Sequence, residues 1–195
     1  KNLLIWHTED QTGKKRKERN ASTVSLSYNK IEKFPSELFT AGSPITSIDL
    51  SGNQMRTIPK GSIKGKNAYL LQVIDLRFNK LTSLSDDFRS TTLPYITNMD
   101  VSYNCFSEVP TQPLNSANLR AFAINHQRDA NDNRCLRTWP TGITSCPSLI
   151  QFQIGSNDIR KVEEKLTYHL YIVNIKDNPN ISIDVTSVCP YIKAG

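Results

Sequence analysis

The chain has 195 residues, 37% of them apolar, and a net charge of +6 from 24 basic and 18 acidic side chains. No apolar run approaches the roughly 18 residues of a membrane-crossing helix, and no C-x-x-C or Cys/His cluster has zinc-site spacing. P-loop, G-x-S-x-G, H-E-x-x-H and paired-carboxylate patterns are all missing, so catalysis, cofactor and metal chemistry find no carrier and the chain reads as a non-enzyme.

Residues 1–21 do not match the pattern that follows. Leu3-Leu4-Ile5-Trp6 is apolar enough to pack on the edge of the next segment, or to be the remnant of a preceding repeat. The chain opens at Lys1 without a methionine or a signal peptide, which reads as a mature form or an excised piece. Residues 1–19 hold six Lys/Arg and three Asp/Glu, so half of the net charge sits there. The run Gly13-Lys14-Lys15-Arg16-Lys17-Glu18-Arg19 has the charge to meet nucleic acid or anionic lipid. No aromatic residue interleaves with it, which weakens the stacking that single-stranded nucleic acid needs. A solvated loop is the simpler reading, and no nucleic-acid partner is expected.

From residue 22 one pattern recurs. Ile45 to Pro59 shows it best: Ile48 and Leu50 alternate like strand residues, the chain turns at Ser51-Gly52-Asn53, and apolar Met55 and Ile58 precede the proline. Neither the 3.6-residue period of a helix nor the 2-residue period of a strand fits its whole length. Val24–Pro35, Leu71–Leu84 and Ile96–Pro110 repeat it, Leu119 opens a divergent copy, and Leu149 and Leu170 open two more. The asparagines stand at 29, 53, 79, 104, 157 and 178, with Gln127 in the divergent copy, at successive gaps of 24, 26, 25, 23, 30 and 21 residues.

Period and pattern, L-x-x-L-x-L-x-x-N-x-L over about four-fifths of the chain, resemble the leucine-rich repeat family. The fold class this implies is an α/β solenoid, a horseshoe or arc of about seven repeats. A parallel β-sheet lines the concave face, with irregular and 3-10 turns on the convex face. Residues 22–195 then form one repeat domain with an insert at about 126–139. One coil cannot bury its own apolar edge, so coils must stack. Ile48 with Leu50, Ile74 with Leu76, and Met99 with Val101 point inward. Each asparagine enters the core, where an unpartnered amide would cost roughly 1–3 kcal/mol. In the family, neighbouring coils satisfy it, in a ladder along the array. Gln127 departs from the rule, and an irregular turn is expected there. Pro35, Pro59, Pro110 and Pro140 turn the chain outward without needing an amide donor. Phe39, Phe88, Leu114 and Leu166 plug the outer layer, in segments short enough for single-turn helices.

Gln127 to Pro140 spans 13 residues against 6 from Asn104 to Pro110, so about seven are inserted, carrying the polar run Arg128-Asp129-Ala130-Asn131-Asp132-Asn133-Arg134. Of the cysteines, Cys105 and Cys135 take comparable places in neighbouring coils, and the geometry permits a bridge. Cys146 and Cys189 share an outer, buried position. Free thiols are the favoured reading.

On the concave face the central column reads Ser25, Asp49, Asp75, Asp100, Ala123, Gln153, Asn174, and beside it run Ser27, Ser51, Arg77, Ser102, Asn125, Gly155, Lys176. Three stacked aspartates form an anionic ridge suited to a cation or a basic group, although Leu-Asp-Leu is ordinary usage in such repeats and solvated surface is the plainer reading. The residue before each asparagine brings Phe78, Tyr103 and His126 together along one edge, beside the insert. Aromatic residues and Arg dominate binding hot spots. The expected binding surface is Asp49, Asp75, Arg77, Phe78, Asp100, Tyr103, Asn125, His126 and Gln153. Ser102, His126 and Asp100 lie near one another only through strand stacking, with no oxyanion donor. His7 and His169 lie in other coils. Asn20-Ala21-Ser22 and Asn180-Ile181-Ser182 match glycosylation acceptors.

Asp86-Asp87-Phe88-Arg89, Thr111 to Ser116, Ile154 to Arg160 and Asp177 to Asp184 are similar to segments of long, exported leucine-rich repeat proteins of gut anaerobic Gram-negative bacteria. The resemblance implies a cell-surface recognition module; a protein or glycan ligand and a monomeric state are expected. The alternative is a substrate-specificity domain of a larger enzyme or effector whose catalytic part lies outside this chain.

Overall fold

The computed structural model describes residues 22–40, 44–64, 68–162, 166 and 170–183. The N-terminal apolar and basic runs, His7, His169, Asn20 and Cys189 lie outside the described residues. Seven short strands, β1 (Thr23–Ser25), β2 (Ser47–Asp49), β3 (Val73–Asp75), β4 (Asn98–Asp100), β5 (Ala121–Ala123), β6 (Gln151–Gln153) and β7 (Ile172–Asn174), form one sheet in sequence order. Every pair is parallel, and the register aligns Val24, Ile48, Ile74, Met99, Phe122, Phe152 and Val173 in one row. That row points into the core because strand side chains alternate between faces.

On the outer side lie one helical turn, α1 (Glu37–Thr40), and 3-10 turns at Ala68–Leu70, Asp86–Phe88, Pro113–Asn115 and Ile143–Ser145. Phe39, Ile63, Phe88, Leu114 and Ile143 are buried from that side. Leu166 is partly buried against the same core. Asp87, itself buried, clamps the outer loop of the second coil by accepting from the amides of Gly61 (2.9 Å) and Ile63 (3.0 Å).

The asparagine ladder is continuous. Asn104 Oδ1 accepts from the amide of Leu81 at 2.9 Å, and Nδ2 donates to the carbonyls of Leu76, Val101 and Ser102 at 2.9–3.2 Å. Asn79 and Asn53 repeat the arrangement one and two coils earlier. Gln127 does not break it, contrary to the irregular turn its identity predicts. Oε1 accepts from the Phe106 amide (3.0 Å) and Nε2 donates to the Val101 (3.1 Å) and Asn125 (2.9 Å) carbonyls. A glutamine carries the same amide on one more methylene, so the ladder needs only a different side-chain path.

The inserted residues are 128–134. They leave the coil after Gln127 and return at Cys135, closed by an antiparallel bridge between Arg128 and Arg134. The Asp129 carboxylate gathers the loop, accepting from the amides of Asn131 (2.8 Å) and Asn133 (2.9 Å) and from Asn133 Nδ2 (3.1 Å). Leu136 then resumes the core row, fully buried. Cys105, Cys135 and Cys146 are free. Burial pushes the Cys146 thiol up to about 11, and its Sγ donates to the Ser116 carbonyl at 3.4 Å.

Candidate functional site

The concave face is built by side chains one position after the core row. Asp49, Asp75 and Asp100 stand in register on β2, β3 and β4. Each turns one carboxylate oxygen back to the amide two residues on, that of Ser51, Arg77 or Ser102, at 2.9 Å in every case. This local bond ends the strand and starts the turn, as short polar side chains commonly do. Arg77 then lies over the ridge, 2.6 Å from Asp75 Oδ2 and 3.7 Å from Asp100. The ridge is thus partly self-neutralised.

The three carboxyls are not equivalent. Burial opposes ionisation of Asp49, but hydrogen bonds from Ser51, Ser27 and Ser25 outweigh it and hold that carboxyl below its usual range. At Asp100 burial wins over the Ser102 bonds and Arg77, and the carboxyl is raised. Further along, Asn125 Nδ2 donates to Gln153 Oε1 (3.2 Å) and Ser102 Oγ (3.3 Å), while Asn125 Oδ1 accepts from the Gly155 amide (2.8 Å). Ser102 Oγ therefore serves as an acceptor for Asn125. His126 does not point at it but stacks on Tyr103. Among the described residues no group of three or more His, Cys, Asp or Glu is arranged to hold a metal ion.

The edge where the chain leaves the strands has a backbone feature that the repeat pattern does not announce. Tyr28, Gly52, Phe78, Tyr103, His126, Ser156 and Asp177 occupy the same place in successive coils, and all have φ between +54° and +66°. The amides of the first six are pinned by the next coil, for example Phe78 to the Ser102 carbonyl (3.2 Å) and Tyr103 to the Asn125 carbonyl (2.9 Å). Left-handed backbone costs a non-glycine residue about 1–2 kcal/mol. Only Gly52 escapes this cost. A Cβ there would lie 2.7 Å from the Tyr28 ring, which covers it.

Phe78 and Tyr103 stack at 4.3 Å between ring centroids, and Tyr103 and His126 at 4.6 Å. The first two rings remain 42% and 41% exposed. Burial and the neighbouring Arg128 guanidinium push the His126 imidazole below its ordinary value, so it is neutral at pH 7. The same edge continues through the insert. Arg128 donates to the Ser156 carbonyl at 2.7 Å, and Arg134 donates to the backbone and, at 2.9 Å, to the carboxylate of Asp177.

All nine sequence-predicted residues thus fall on one continuous surface, in two groups: the Arg77-covered ridge with the Asn125–Gln153 amide pair, and the three-ring stack. The left-handed edge and the arginine clamps of the insert were missed. Gly52, a glycine where the other coils carry a side chain, was the one local sign of the backbone conformation.

No protein-family model matches the chain. A crystallised leucine-rich repeat protein from Bacteroides thetaiotaomicron is 73% identical with a TM-score of 0.86, over 90% of this chain and 22% of that one. A second, from Bacteroides eggerthii, is 63% identical with a TM-score of 0.84, over 89% of this chain and 29% of that one. Chicken (Gallus gallus) Tsukushi is 24% identical over 84% of this chain and 42% of its own length. The chain therefore spans less than half the length of each of these relatives. Proteins of this fold typically serve as non-enzymatic modules for protein–protein recognition, using the extended curved surface that stacked repeats create. With seven coils in one parallel sheet, an unbroken amide ladder, and identities this high to two crystallised examples, the chain belongs to the leucine-rich repeat family.

Proposed function

We propose that this chain is a non-enzymatic recognition module, exported and displayed at the cell surface, that binds a protein through its concave sheet and the aromatic edge beside it. The observation that carries this reading is the Phe78–Tyr103–His126 stack. These rings occupy strained backbone, are locked by one another and by the next coil's carbonyls, and still leave two of three rings substantially exposed. A rigid aromatic surface loses little conformational freedom on binding, and exposed rings beside arginines have the composition of interaction hot spots. The proposed placement outside the cell draws on the resemblance of the sequence to exported repeat proteins of gut anaerobes, and the module is proposed to act as a monomer.

The test is a screen of the purified chain against arrays of host extracellular proteins and glycans, run beside the Phe78→Ala/Tyr103→Ala variant. A protein ligand whose capture falls at least about tenfold in the double variant is expected. Capture that survives both substitutions removes the aromatic edge from the reading. Antibody accessibility on intact cells tests the location. The second reading, a specificity domain of a larger enzyme or effector, draws on the chain's spanning only 22% and 29% of the two crystallised relatives. A catalytic domain in the same polypeptide would favour it.

A further inference from the structure

Past the ring stack, towards β7, the concave surface opens into a recess lined by Tyr103, Asn125, Gly155, Ser156, Asn174, Lys176 and Asp177. Its floor is Gly155, the one residue without a side chain in a column that elsewhere carries Ser27, Ser51, Arg77, Ser102, Asn125 and Lys176. A Cβ there would sit 3.0 Å from the Lys176 carbonyl oxygen and 3.4 Å from the side-chain oxygens of Asn125 and Asn174. The glycine makes the hollow.

The polar groups around it divide sharply. Asn125 is spent at both ends, on Gly155, Ser102 and Gln153. Asn174 Oδ1 accepts from the Lys176 amide at 3.0 Å, and its Nδ2 has no acceptor among the described residues. The acid of the lining, Asp177, is taken by Arg134, whose hydrogen bond also holds that carboxyl below its usual range. The Lys176 ammonium has no ion-pair partner among the described residues. The recess therefore offers unpaired N–H donors and one positive charge, with its carboxylate already neutralised. An acceptor-only anion, a carboxylate, is the group that matches such a donor set.

Charge along the concave face agrees. β2 to β4 present Asp49, Asp75 and Asp100 against Arg77, a net of −2, whereas Lys176 is the only charged residue among the corresponding positions of β5 to β7. An anionic group crossing the strands is steered to the β6–β7 end. Both faces of the Tyr103 ring are covered, by Phe78 and by His126, so at this recess it presents its edge and hydroxyl. Face-on stacking of a sugar ring is closed there, which favours a protein side chain.

We propose that the Gly155 recess receives an aspartate or glutamate side chain of a protein partner, its carboxylate held between the Lys176 ammonium and the Asn174 amide. This rests on the concave face being the contact surface. The test is titration of the 15N-labelled protein with acetyl-Gly-Glu-Gly-amide, with acetyl-Gly-Gln-Gly-amide, and with methyl glucuronide, in the parent chain and in Lys176→Gln. The glutamate peptide is expected to shift the amides of Gly155, Ser156 and Lys176 saturably. Its affinity should exceed that of the glutamine peptide, and that of Lys176→Gln for the same peptide, by about tenfold. Gly155→Ala should weaken it by filling the floor. Equal response to both peptides, no response to the glutamate peptide, or a response undiminished in Lys176→Gln overturns the proposal. A stronger response to the glucuronide assigns the recess to acidic sugars and overturns it as well. None of these outcomes touches the Phe78 and Tyr103 variants, so failure here is distinguishable from failure of the aromatic edge.

Discussion

Replacing Asn104 by alanine isolates what the amide ladder contributes. The substitution removes one acceptor and three donated hydrogen bonds, all buried and between 2.9 and 3.2 Å. The three carbonyls it abandons are not orphaned. Leu76 still receives Asn79 Nδ2, Val101 receives Gln127 Nε2, and Ser102 receives the Phe78 amide. The Leu81 amide is different, because Asn104 Oδ1 is its partner and Leu81 is fully buried. An orphaned buried donor costs about 1–3 kcal/mol, and the remaining lost bonds add about 1 kcal/mol net. The expected loss is therefore about 2–4 kcal/mol, or roughly 4–16 °C in melting temperature for a chain of this size. Asn29→Ala is the internal control. Its side chain is exposed and, among the described residues, makes only two local bonds, to the Leu26 and Ser27 carbonyls, so a change below about 1 kcal/mol is expected. Both are measured by urea unfolding followed by circular dichroism. If Asn104→Ala costs no more than Asn29→Ala, the ladder does not stabilise the array and the reasoning fails.

The His126 imidazole, lowered by burial and by Arg128, should titrate below the ordinary histidine range by NMR, and Arg128→Gln should raise it. Because its folded value lies below the unfolded one, the stability linked to it is complete above about pH 6.5 and lost as pH falls through the folded value. A His126 that titrates at the ordinary value counts against the stacked, half-buried placement. Gly52→Ala should cost about 1–2 kcal/mol from left-handed backbone alone, plus displacement of the Tyr28 ring. Tyr103→Gly should change stability by no more than about 1 kcal/mol, since relief of strain offsets the lost ring contacts. Equal and large losses in both variants, by thermal melting, would show that the left-handed edge is not strained. In a Cys189→Ser background, maleimide should label Cys105 and Cys135 slowly at neutral pH, as burial raises both thiols, and Cys146 only after unfolding. Rapid labelling of Cys146 in the native protein would contradict its burial.

Much of this was legible because each coil repeats its roles at fixed offsets. Ile48 and Leu50, Asn53 and Met55 identify themselves by spacing, and the recurrence at Ile74 or Met99 multiplies the signal. The length of the insert followed from comparing Gln127–Pro140 with Asn104–Pro110. Its closure on Asp129 did not, because that depends on three particular hydrogen bonds with no periodic counterpart. The Gln127 turn was misread because the pattern records residue identity, whereas the ladder requires only an amide in reach. The left-handed edge was hidden for a stronger reason. Tyr28, Phe78 and Tyr103 do not prefer that backbone. Stacking between coils imposes it, and a single sequence shows the outcome only where it is relieved, at Gly52. The partial neutralisation of the aspartate ridge depends on how Arg77 folds over Asp75 and Asp100, which the column of residue names does not contain.

The central claim is that a partner docks on the concave face and its aromatic edge. Hydroxyl-radical footprinting of the partner complex measures this within one molecule, since Tyr69 and Tyr95 lie where the chain enters the strands and are as exposed as the rings on the exit edge. Oxidation of Phe78 and Tyr103 should fall severalfold on binding while Tyr69 and Tyr95 stay unchanged. Protection of Tyr69 and Tyr95 with Phe78 and Tyr103 left reactive would place the partner elsewhere and contradict the claim.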